Sequence, residues 1–317
     1  MELHTYQEAI NELRTVHDLL RWGVSRFHDA ELFFGHGYDN AWDEALALFL
    51  FALKLKYDTD PRVLDARVTT SERSTIIELF KQRIKDRTPV AYLTHEAMFA
   101  GLSFYVDDRV LIPRSPIAEL IERQFAPWVD AAKVSRILDL GTGSGCIAIA
   151  CQHYFPDAIV DAVDVSPDAI AVAQINIEHY GLQEKVRLIH EDMFEGLVGQ
   201  RYDIIVTNPP YVDQVEILQL PKEYLHEPII ALDGGSLGTD DAIRILYHAS
   251  DYLRPHGILV LEVGNSQKHL VEFFPQVPFV WLEFQRGGEG VCLLSLDQLL
   301  EHKKDFALAV MKTETQG

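Results

Sequence analysis

From Val134 onward, the sequence alternates between short apolar runs and amphipathic stretches. Five apolar runs have the length and composition of buried β-strands, and they lie at residues 136–140, 159–165, 186–189, 202–208 and 257–263. Helical patterns separate them, which is typical of a mostly parallel sheet with helices on both faces. Two further runs on either side of Gly287 and Gly288 predict a closing antiparallel pair. The pattern therefore predicts an α/β fold with a mostly parallel sheet and an antiparallel pair at its end.

The first 95 residues have the periodicity of helices instead. Apolar residues recur at three- and four-residue spacing within residues 13–27 and 41–55. Thr69 and Glu72 have the spacing of a capping box at the start of another helix. That helix is expected to end before Pro89, because the residue before a proline disfavours helical backbone angles. This segment predicts a small helical domain.

A β-hairpin is expected between the two regions, because strand-like residues flank Ala100 and Gly101. At 317 residues, the chain is long enough for two domains. We predict a helical domain at residues 1–95, a hairpin linker at 96–115, an α/β domain at 116–300, and a carboxy-terminal helix and tail at 301–317.

The charge of the chain bears on its partners. The formal net charge is −20, from 48 acidic and 28 basic residues. An acidic surface repels a phosphate backbone and attracts a basic protein, so the charge favours a protein partner over a nucleic acid. No apolar run reaches the roughly 18 residues of a membrane span, and the amino terminus lacks the pattern of a signal peptide. We therefore expect a cytoplasmic protein that does not enter a membrane.

The cysteines and histidines predict neither disulfides nor a metal site. Cys146, Cys151 and Cys292 show no C-x-x-C spacing, and their odd number leaves no complete disulfide framework. We expect three buried thiols. The 13 histidines include neither H-x-H nor H-E-x-x-H, so no metal ligand set is predicted.

A glycine-rich loop follows the first predicted strand and opens a helix; it consists of Gly141, Thr142, Gly143, Ser144 and Gly145. Bare backbone there lets a ligand approach amides that point outward. The spacing lacks both the last glycine of a dinucleotide fingerprint and the lysine of a phosphate loop, which disfavours NAD and ATP. Asp164 ends the second strand, where a carboxylate accepts hydrogen bonds from ribose hydroxyls. The two features together predict a nucleoside site.

Each of these features has a plainer alternative. The glycines also suit a tight strand-to-helix turn without a ligand, and Asp164 also suits a cap for the helix that begins near Pro167. Asp192 and Met193 follow the third strand, where a side chain would flank an adenine ring, although a polar residue and an apolar residue often follow a strand without a ligand.

The sequence Asn208-Pro209-Pro210-Tyr211 follows the fourth predicted strand, at the same edge of the sheet as the glycine loop. The prolines stiffen this turn, so the Asn208 side-chain oxygen and the Pro209 carbonyl are held as two fixed acceptors. A planar NH2 group would donate one hydrogen to each, which aims its nitrogen at a methyl donor, and Tyr211 would stack on the plane. The alternative is a rigid turn without such a role.

These motifs resemble those of the protein N(5)-glutamine methyltransferases. The resemblance runs from about residue 80 to residue 295 and includes the segments Arg87 to Leu93, VLIPR, GTGSGCIAIA and NPPYV in the same order. It implies a helical domain that recognises the substrate protein, a hairpin, and a seven-stranded Rossmann-like methyltransferase domain. It also implies S-adenosylmethionine as the cofactor.

The resemblance assigns roles to the matching residues. Gly141 to Gly145 and Asp164 would bind the cofactor, together with Asp192 and Met193 on the adenine side, where some relatives have an aromatic residue. Asn208 to Tyr211 would bind the target glutamine and perform catalysis, with Asn208 also beside the cofactor.

Within the family, the chain is similar to the branch that methylates ribosomal large-subunit protein three, a basic protein. Pro113 and Arg114 run into Ser115-Pro116-Ile117, whereas the release-factor enzymes continue as Pro-Glu-Thr-Glu. RWGVSRF, FGHGYDNAWDEA and HEPIIAL also resemble that branch, but residues 233–241 depart from its shorter glycine turn. The alternatives are a release-factor glutamine methyltransferase, a nucleic-acid amino-methyltransferase, and a cofactor-binding module without catalysis.

Overall fold

A computed structural model describes residues 2–314 of the chain, and their contacts divide into two compact units. One unit contains residues 2–96 together with Pro221–His226, and the other contains residues 97–220 and 227–314. The predicted domain boundaries stay a prediction, but two details differ from them. Residues 97–115 cluster with the sheet instead of forming a separate linker, and Pro221–His226 cluster with the helices. Met1 and residues 315–317, which the predicted first and last segments include, lie outside the described residues.

The first unit is helical, with α1 (Glu2–Glu12), α2 (Val16–Asp29), α3 (Ala41–Leu53), α4 (Thr70–Asp86) and α5 (Val90–Thr94). The capping box of Thr69 and Glu72 is confirmed, and α4 ends before Pro89 as predicted. The apolar pattern predicted to begin at Leu13 is divided, because a second capping box at Thr15 begins α2 anew. Buried aromatic and aliphatic side chains from α2, α3 and α4 form the core of this unit.

Arg83 is buried in the helical unit, where all three of its side-chain nitrogens donate hydrogen bonds. Its Nε and Nη2 donate to the Glu44 carboxylate at 2.7 and 3.1 Å, and Nη2 also donates to the Phe33 carbonyl at 2.8 Å. Its Nη1 donates to Glu223 Oε1 at 3.3 Å. Removing one partner of a buried ion pair costs about 3–5 kcal/mol, because the other charge stays buried. Glu223 therefore attaches Pro221–His226 to the helices.

The second unit opens with the predicted hairpin, β1 (Ala97–Phe99) and β2 (Leu102–Phe104), and is built on a seven-stranded sheet. The remaining strands are β3 (Arg136–Leu140), β4 (Ile159–Asp164), β5 (Val186–His190), β6 (Tyr202–Thr207), β7 (Leu253–Glu262), β8 (Val280–Trp281) and β9 (Val291–Ser295). They lie in the order β5-β4-β3-β6-β7-β9-β8, with β9 antiparallel to both of its neighbours. The predicted α/β, Rossmann-like fold is confirmed.

The helices of this unit are α6 (Ile117–Glu122), α7 (Cys146–Tyr154), α8 (Pro167–Tyr180), α9 (Gln214–Ile217), α10 (Asp240–Ala249), α11 (Gln267–Phe273), α12 (Leu296–Glu301) and α13 (Lys303–Glu314). Successive residues of a strand face opposite sides, so Ile137 packs in one apolar cluster and Leu138 in another. The sheet is thus covered on both faces. All three cysteines are buried and free, as predicted.

The reversal of strand order places the ends of β3 and β6 side by side. These strands are parallel neighbours, with Leu140 opposite Thr207. β4 and β5 lie on one side of β3, whereas β6 and β7 lie on its other side. In such sheets, ligands bind outside the carboxyl ends of the strands at the point of reversal. The glycine loop and the Asn-Pro-Pro-Tyr turn both begin there. Among the helices within residues 2–314, none has the length and apolar character that crossing a membrane requires.

Candidate active site

A cavity of about 290 Å³ lies within the sheet unit at this edge. Most of the predicted site residues line it, namely Gly141, Thr142, Gly143, Ser144, Asp164, Asp192, Met193, Asn208, Pro209 and Pro210. A Cβ added at Gly141 would lie 3.9 Å from the Asn208 carbonyl oxygen, so the two motifs meet. Gly145 and Tyr211 do not line the cavity. Gly145 instead lies against α8, where an added Cβ would be 3.2 Å from that of Ala173.

The glycine loop is held open towards the cavity by backbone hydrogen bonds. The Thr142 amide donates to the Val163 carbonyl at 3.0 Å, and the Gly143 amide donates to Asp164 Oδ2 at 2.8 Å. Gly143 has a φ of +54°, which favours glycine, and a Cβ added there would meet nothing within 4 Å. The loop therefore leaves room beside its backbone for a ligand.

Asp139, in β3, supports this loop from inside the sheet. Its Oδ2 accepts hydrogen bonds from Thr142 Oγ1 at 2.6 Å and from the Ala148 amide at 3.1 Å. The side chain is fully buried, and this burial raises its pKa to about 7. The loop motif begins two residues later and predicted no role for Asp139, whose contacts show that it supports the loop.

Asp164 ends β4 with both carboxylate oxygens engaged. Oδ2 accepts from the Gly143 amide, and Oδ1 accepts from the Ser166 amide at 2.9 Å. Burial raises the pKa of this carboxyl group. The alternative that Asp164 caps the following helix is wrong, because the cap of α8 is Ser166, whose side chain accepts from the Ala169 amide.

Asp192 is held by an arginine that the sequence did not single out. Arg244, in α10, donates from Nη2 to Asp192 Oδ2 at 2.6 Å, and its Nη1 lies 3.5 Å from Asp241 Oδ1. All three side chains line the cavity beside Met193. The arrangement fixes the polar side chain that was predicted to flank an adenine ring.

Asn208 presents an acceptor that the protein itself leaves unused. Its Oδ1 is buried and has no hydrogen-bond partner among residues 2–314. A buried polar atom without a partner costs about 1–3 kcal/mol. The turn around it is fixed, since Thr207 Oγ1 donates to the Leu140 carbonyl at 2.8 Å and two prolines follow. The unused acceptor indicates a ligand that brings a hydrogen-bond donor.

Tyr211 lies behind the cavity lining instead of in it. Its hydroxyl donates to Glu262 Oε1 at 3.1 Å, and its carbonyl accepts from Ser266 Oγ at 2.7 Å. The glycine-rich segment 233–241 packs against the turn. A Cβ at Gly238, where φ is +68°, would lie 2.2 Å from the Tyr211 carbonyl oxygen, and one at Gly234 would lie 2.7 Å from that of Pro210. The segment that departs from the related branch therefore supports the tetrapeptide.

The segment that precedes α6 contributes several residues to the cavity, among them Arg114 and Ser115. Arg114 donates to both oxygens of Glu227, at 2.6 and 2.8 Å, and Ser115 Oγ donates to Glu262 Oε2 at 2.5 Å. Burial raises the pKa of Glu262 to about 7. The sequence motif ending in Pro113-Arg114 signalled this segment, but its partners lie far along the chain.

The residues present fit S-adenosylmethionine, the cofactor that the sequence resemblance implies. Gly143 leaves open space against the backbone, Asp164 offers carboxylate oxygens next to it, and the unused Asn208 acceptor lies on the same cavity. Among the described residues, no group of three or more His, Cys, Asp or Glu side chains is arranged to hold a metal ion.

Comparison with known proteins gives a family. Residues 123–237 match the family model described as "Methyltransferase small domain". A methyltransferase crystal structure from Pyrococcus furiosus shares 22% identity with a TM-score of 0.45, covering 62% of this chain and 88% of that one.

Two relatives match almost the whole chain. One is the ribosomal protein uL3 glutamine methyltransferase of Francisella tularensis subsp. tularensis (strain SCHU S4), 46% identical over 301 residues, with 95% of this chain and 96% of that protein covered. The other, with the same description, is from Neisseria meningitidis serogroup B (strain MC58), 49% identical over 296 residues, with 93% and 97% covered. At this identity and coverage, the chain belongs to the family of ribosomal protein uL3 glutamine methyltransferases.

Proposed function

We propose that this enzyme transfers the methyl group of S-adenosylmethionine to the side-chain amide nitrogen of a glutamine in ribosomal protein uL3. The observation that carries the proposal is the buried Asn208 oxygen without a partner, because a glutamine amide supplies the donor that it lacks. The names of the two relatives support the choice of uL3 as the substrate.

The cofactor would lie along the glycine loop. Gly141 to Ser144, which line the cavity, would leave room for it beside the backbone, while Gly145 packs against α8, and Asp164 would accept hydrogen bonds from its ribose hydroxyls. Asp192, held by Arg244, and Met193 would flank the adenine ring. S-adenosylmethionine supplies an electrophilic methyl group on a positively charged sulfur.

The turn would orient the glutamine. Its amide would donate one hydrogen to Asn208 Oδ1 and the other to the Pro209 carbonyl. Tyr211, which does not line the cavity, would support the turn through its bonds to Glu262 and Ser266. An amide nitrogen is a poor nucleophile, because its lone pair is delocalised. Two fixed acceptors become stronger partners as positive charge develops on that nitrogen, which lowers the barrier without a basic side chain. The nitrogen then loses a proton to restore a neutral amide.

The class of partner and the location of the reaction are proposed from the charge of the chain and from the substrate. A net charge of −20 suits a basic ribosomal protein and disfavours nucleic acid as the direct substrate. A ribosomal substrate places the reaction in the cytoplasm, away from membranes. A nucleic-acid amino group is the second candidate, since it is also a planar NH2 that would suit the same acceptors.

The test incubates the enzyme with methyl-labelled S-adenosylmethionine and, separately, with uL3, release factors and duplex DNA. Mass spectrometry then locates the label. The enzyme with Asn208→Ala serves as the matched inactive control. We expect label on a glutamine of uL3, and only with the unchanged enzyme.

Each other outcome has a definite meaning. Label on a release factor would keep the reaction and change the substrate, whereas label on DNA would overturn the proposed substrate class. Cofactor binding with no label on any substrate would support the module without catalysis.

A further inference from the structure

Glu262 lies where two separate segments of the site come together. It is the last residue of β7 and is only 3% exposed. On one side is the segment 113–115 that lines the cavity, and on the other is the Asn-Pro-Pro-Tyr turn. Its carboxylate is bonded to a side chain from each.

The two hydrogen bonds have fixed directions. Ser115 Oγ accepts from the Ile117 amide at 3.1 Å, which leaves its hydrogen to be donated to Glu262 Oε2 at 2.5 Å. The Tyr211 hydroxyl donates to Oε1 at 3.1 Å. The carboxylate, an acceptor on both oxygens, therefore ties Ser115 to Tyr211.

The nearby arginine does not explain why an acid is retained here. Arg114 donates its hydrogen bonds to Glu227 and acts on Glu262 only as a nearby charge, and Glu227 also accepts from the Ile112 amide at 3.0 Å. Burying a carboxylate without a hydrogen-bonded cation is unfavourable, and burial raises the pKa of this one to about 7 in spite of the Arg114 charge. A group that costs stability and joins two walls of a site is a candidate for a functional role.

We propose that Glu262 is a positioning residue for methyl transfer, acting through Tyr211 and Ser115 to hold the turn and the segment 113–115 at a fixed spacing. It does not line the cavity, so it would act on the substrate only through other residues. Its effect reaches the glutamine because Tyr211 continues the turn that carries Asn208. This proposal rests on the proposed glutamine methylation.

The contacts predict a specific kinetic pattern. Glu262→Gln keeps the size of the side chain but offers one acceptor oxygen instead of two, so one hydroxyl loses its acceptor and must turn to receive a hydrogen bond instead. A small displacement of the turn lowers kcat by on the order of 10- to 100-fold, because the amide is no longer aligned. The dissociation constant of S-adenosylmethionine should change less than about twofold, since the glycine loop and Asp164 do not contact Glu262.

The experiment measures kcat, KM and the cofactor dissociation constant for Glu262→Gln, Tyr211→Phe and the double variant, at a pH well above 7. The matched control is Glu301→Gln, which changes an exposed glutamate at the end of α12. If Glu262 acts through Tyr211, Glu262→Gln should lower the kcat of the Tyr211→Phe enzyme by a clearly smaller factor than it lowers the kcat of the wild type.

The outcomes separate the two proposals. Wild type and Glu301→Gln that bind cofactor but do not methylate uL3 would refute the proposed function, and the positioning role with it. If the wild type is active and Glu262→Gln has the same kcat, only the positioning role is refuted. The positioning role is also refuted if the fold-decrease in kcat of the double variant equals the product of the fold-decreases of the two single variants. Should Glu262→Gln fail to fold, Ser115→Ala and Tyr211→Phe must each lower kcat, because both break the same link, and unchanged values would overturn the proposal.

Discussion

The glycine loop and the Asn-Pro-Pro-Tyr turn follow neighbouring parallel strands, yet they differ in what they leave unsatisfied. In the loop, the amides of Thr142 and Gly143 are bonded to Val163 and Asp164. In the turn, Asn208 Oδ1 is buried and unpaired among the described residues. The backbone of the loop is thus paired within the protein, although the Ser144 hydroxyl of the loop is also buried without a partner among the described residues. The difference between the two segments is that the loop backbone is ordered by the protein itself, whereas the side-chain amide oxygen of the turn remains open to a hydrogen-bond donor.

The largest effect is expected from Asn208→Ala, which removes the unpaired acceptor. We expect kcat/KM for uL3 to fall by on the order of 10²- to 10³-fold, because transition-state stabilisation is lost. Cofactor affinity should fall far less. Steady-state methylation and calorimetry measure the two quantities.

Asn11→Ala, on the exposed surface of α1, is the control for the loss of an asparagine amide. Equal transfer by wild type and Asn208→Ala would remove the contrast between loop and turn, since the unpaired oxygen would then have no function.

Asp164→Ala tests the other half of the comparison. It removes the acceptor next to the glycine loop and frees the Gly143 amide. Hydrogen bonds to charged groups contribute about 1.5–3 kcal/mol, so the cofactor dissociation constant should rise roughly 10- to 100-fold by calorimetry. At saturating cofactor, kcat should change less.

Asp168→Ala, which changes an exposed carboxylate four positions further on, should leave the dissociation constant as it is. An unchanged constant in Asp164→Ala as well would rule out a ribose contact and with it the division of roles between the two loops.

Asp139→Asn should have the smallest effect on transfer and a visible effect on stability. Burial raises the pKa of Asp139 from 3.8 to about 7, so its protonated form is favoured by folding. The stability that it contributes is fully present below pH 3.8 and is lost as the pH rises through about 7. Asparagine does not titrate, so the variant should lose less stability across this range, by roughly 4 kcal/mol at most.

Denaturant unfolding of both proteins between about pH 4 and pH 8 measures this difference, since the other groups titrate alike in the two. Parallel curves would mean that Asp139 keeps its ordinary pKa and that the loop is not held by a buried acid.

Local features of the fold were predictable from sequence, because their signals lie within a few residues. The capping box at Thr69, the hairpin at Gly101 and the strands around the glycine loop are of this kind. The pairing that supports the site is not local. Arg244 reaches Asp192 across 52 positions, and Ser115 reaches Glu262 across 147.

Tyr211 illustrates the same limit at a residue that the motif did identify. The tetrapeptide predicted an aromatic ring beside the target amide, but it contains no information about the hydroxyl, which the end of β7 receives. The role of residues 233–241 was likewise hidden, because only the folded chain brings Gly238 against Tyr211. Sequence thus predicted residues that line one cavity better than it predicted the contacts that hold them in place.

The membership of Pro221–His226 in the helical unit has a consequence for the order in which the chain is made. Arg83 precedes Glu223 by 140 positions, so most of the parallel sheet is translated before the second carboxylate of its buried cluster exists. Domains generally fold as units while they emerge, starting from the amino terminus. Here residues 2–96 alone cannot form the complete Arg83 cluster of the first unit. The cluster becomes complete only after the ribosome has translated Pro221–His226, which follow the Asn-Pro-Pro-Tyr turn.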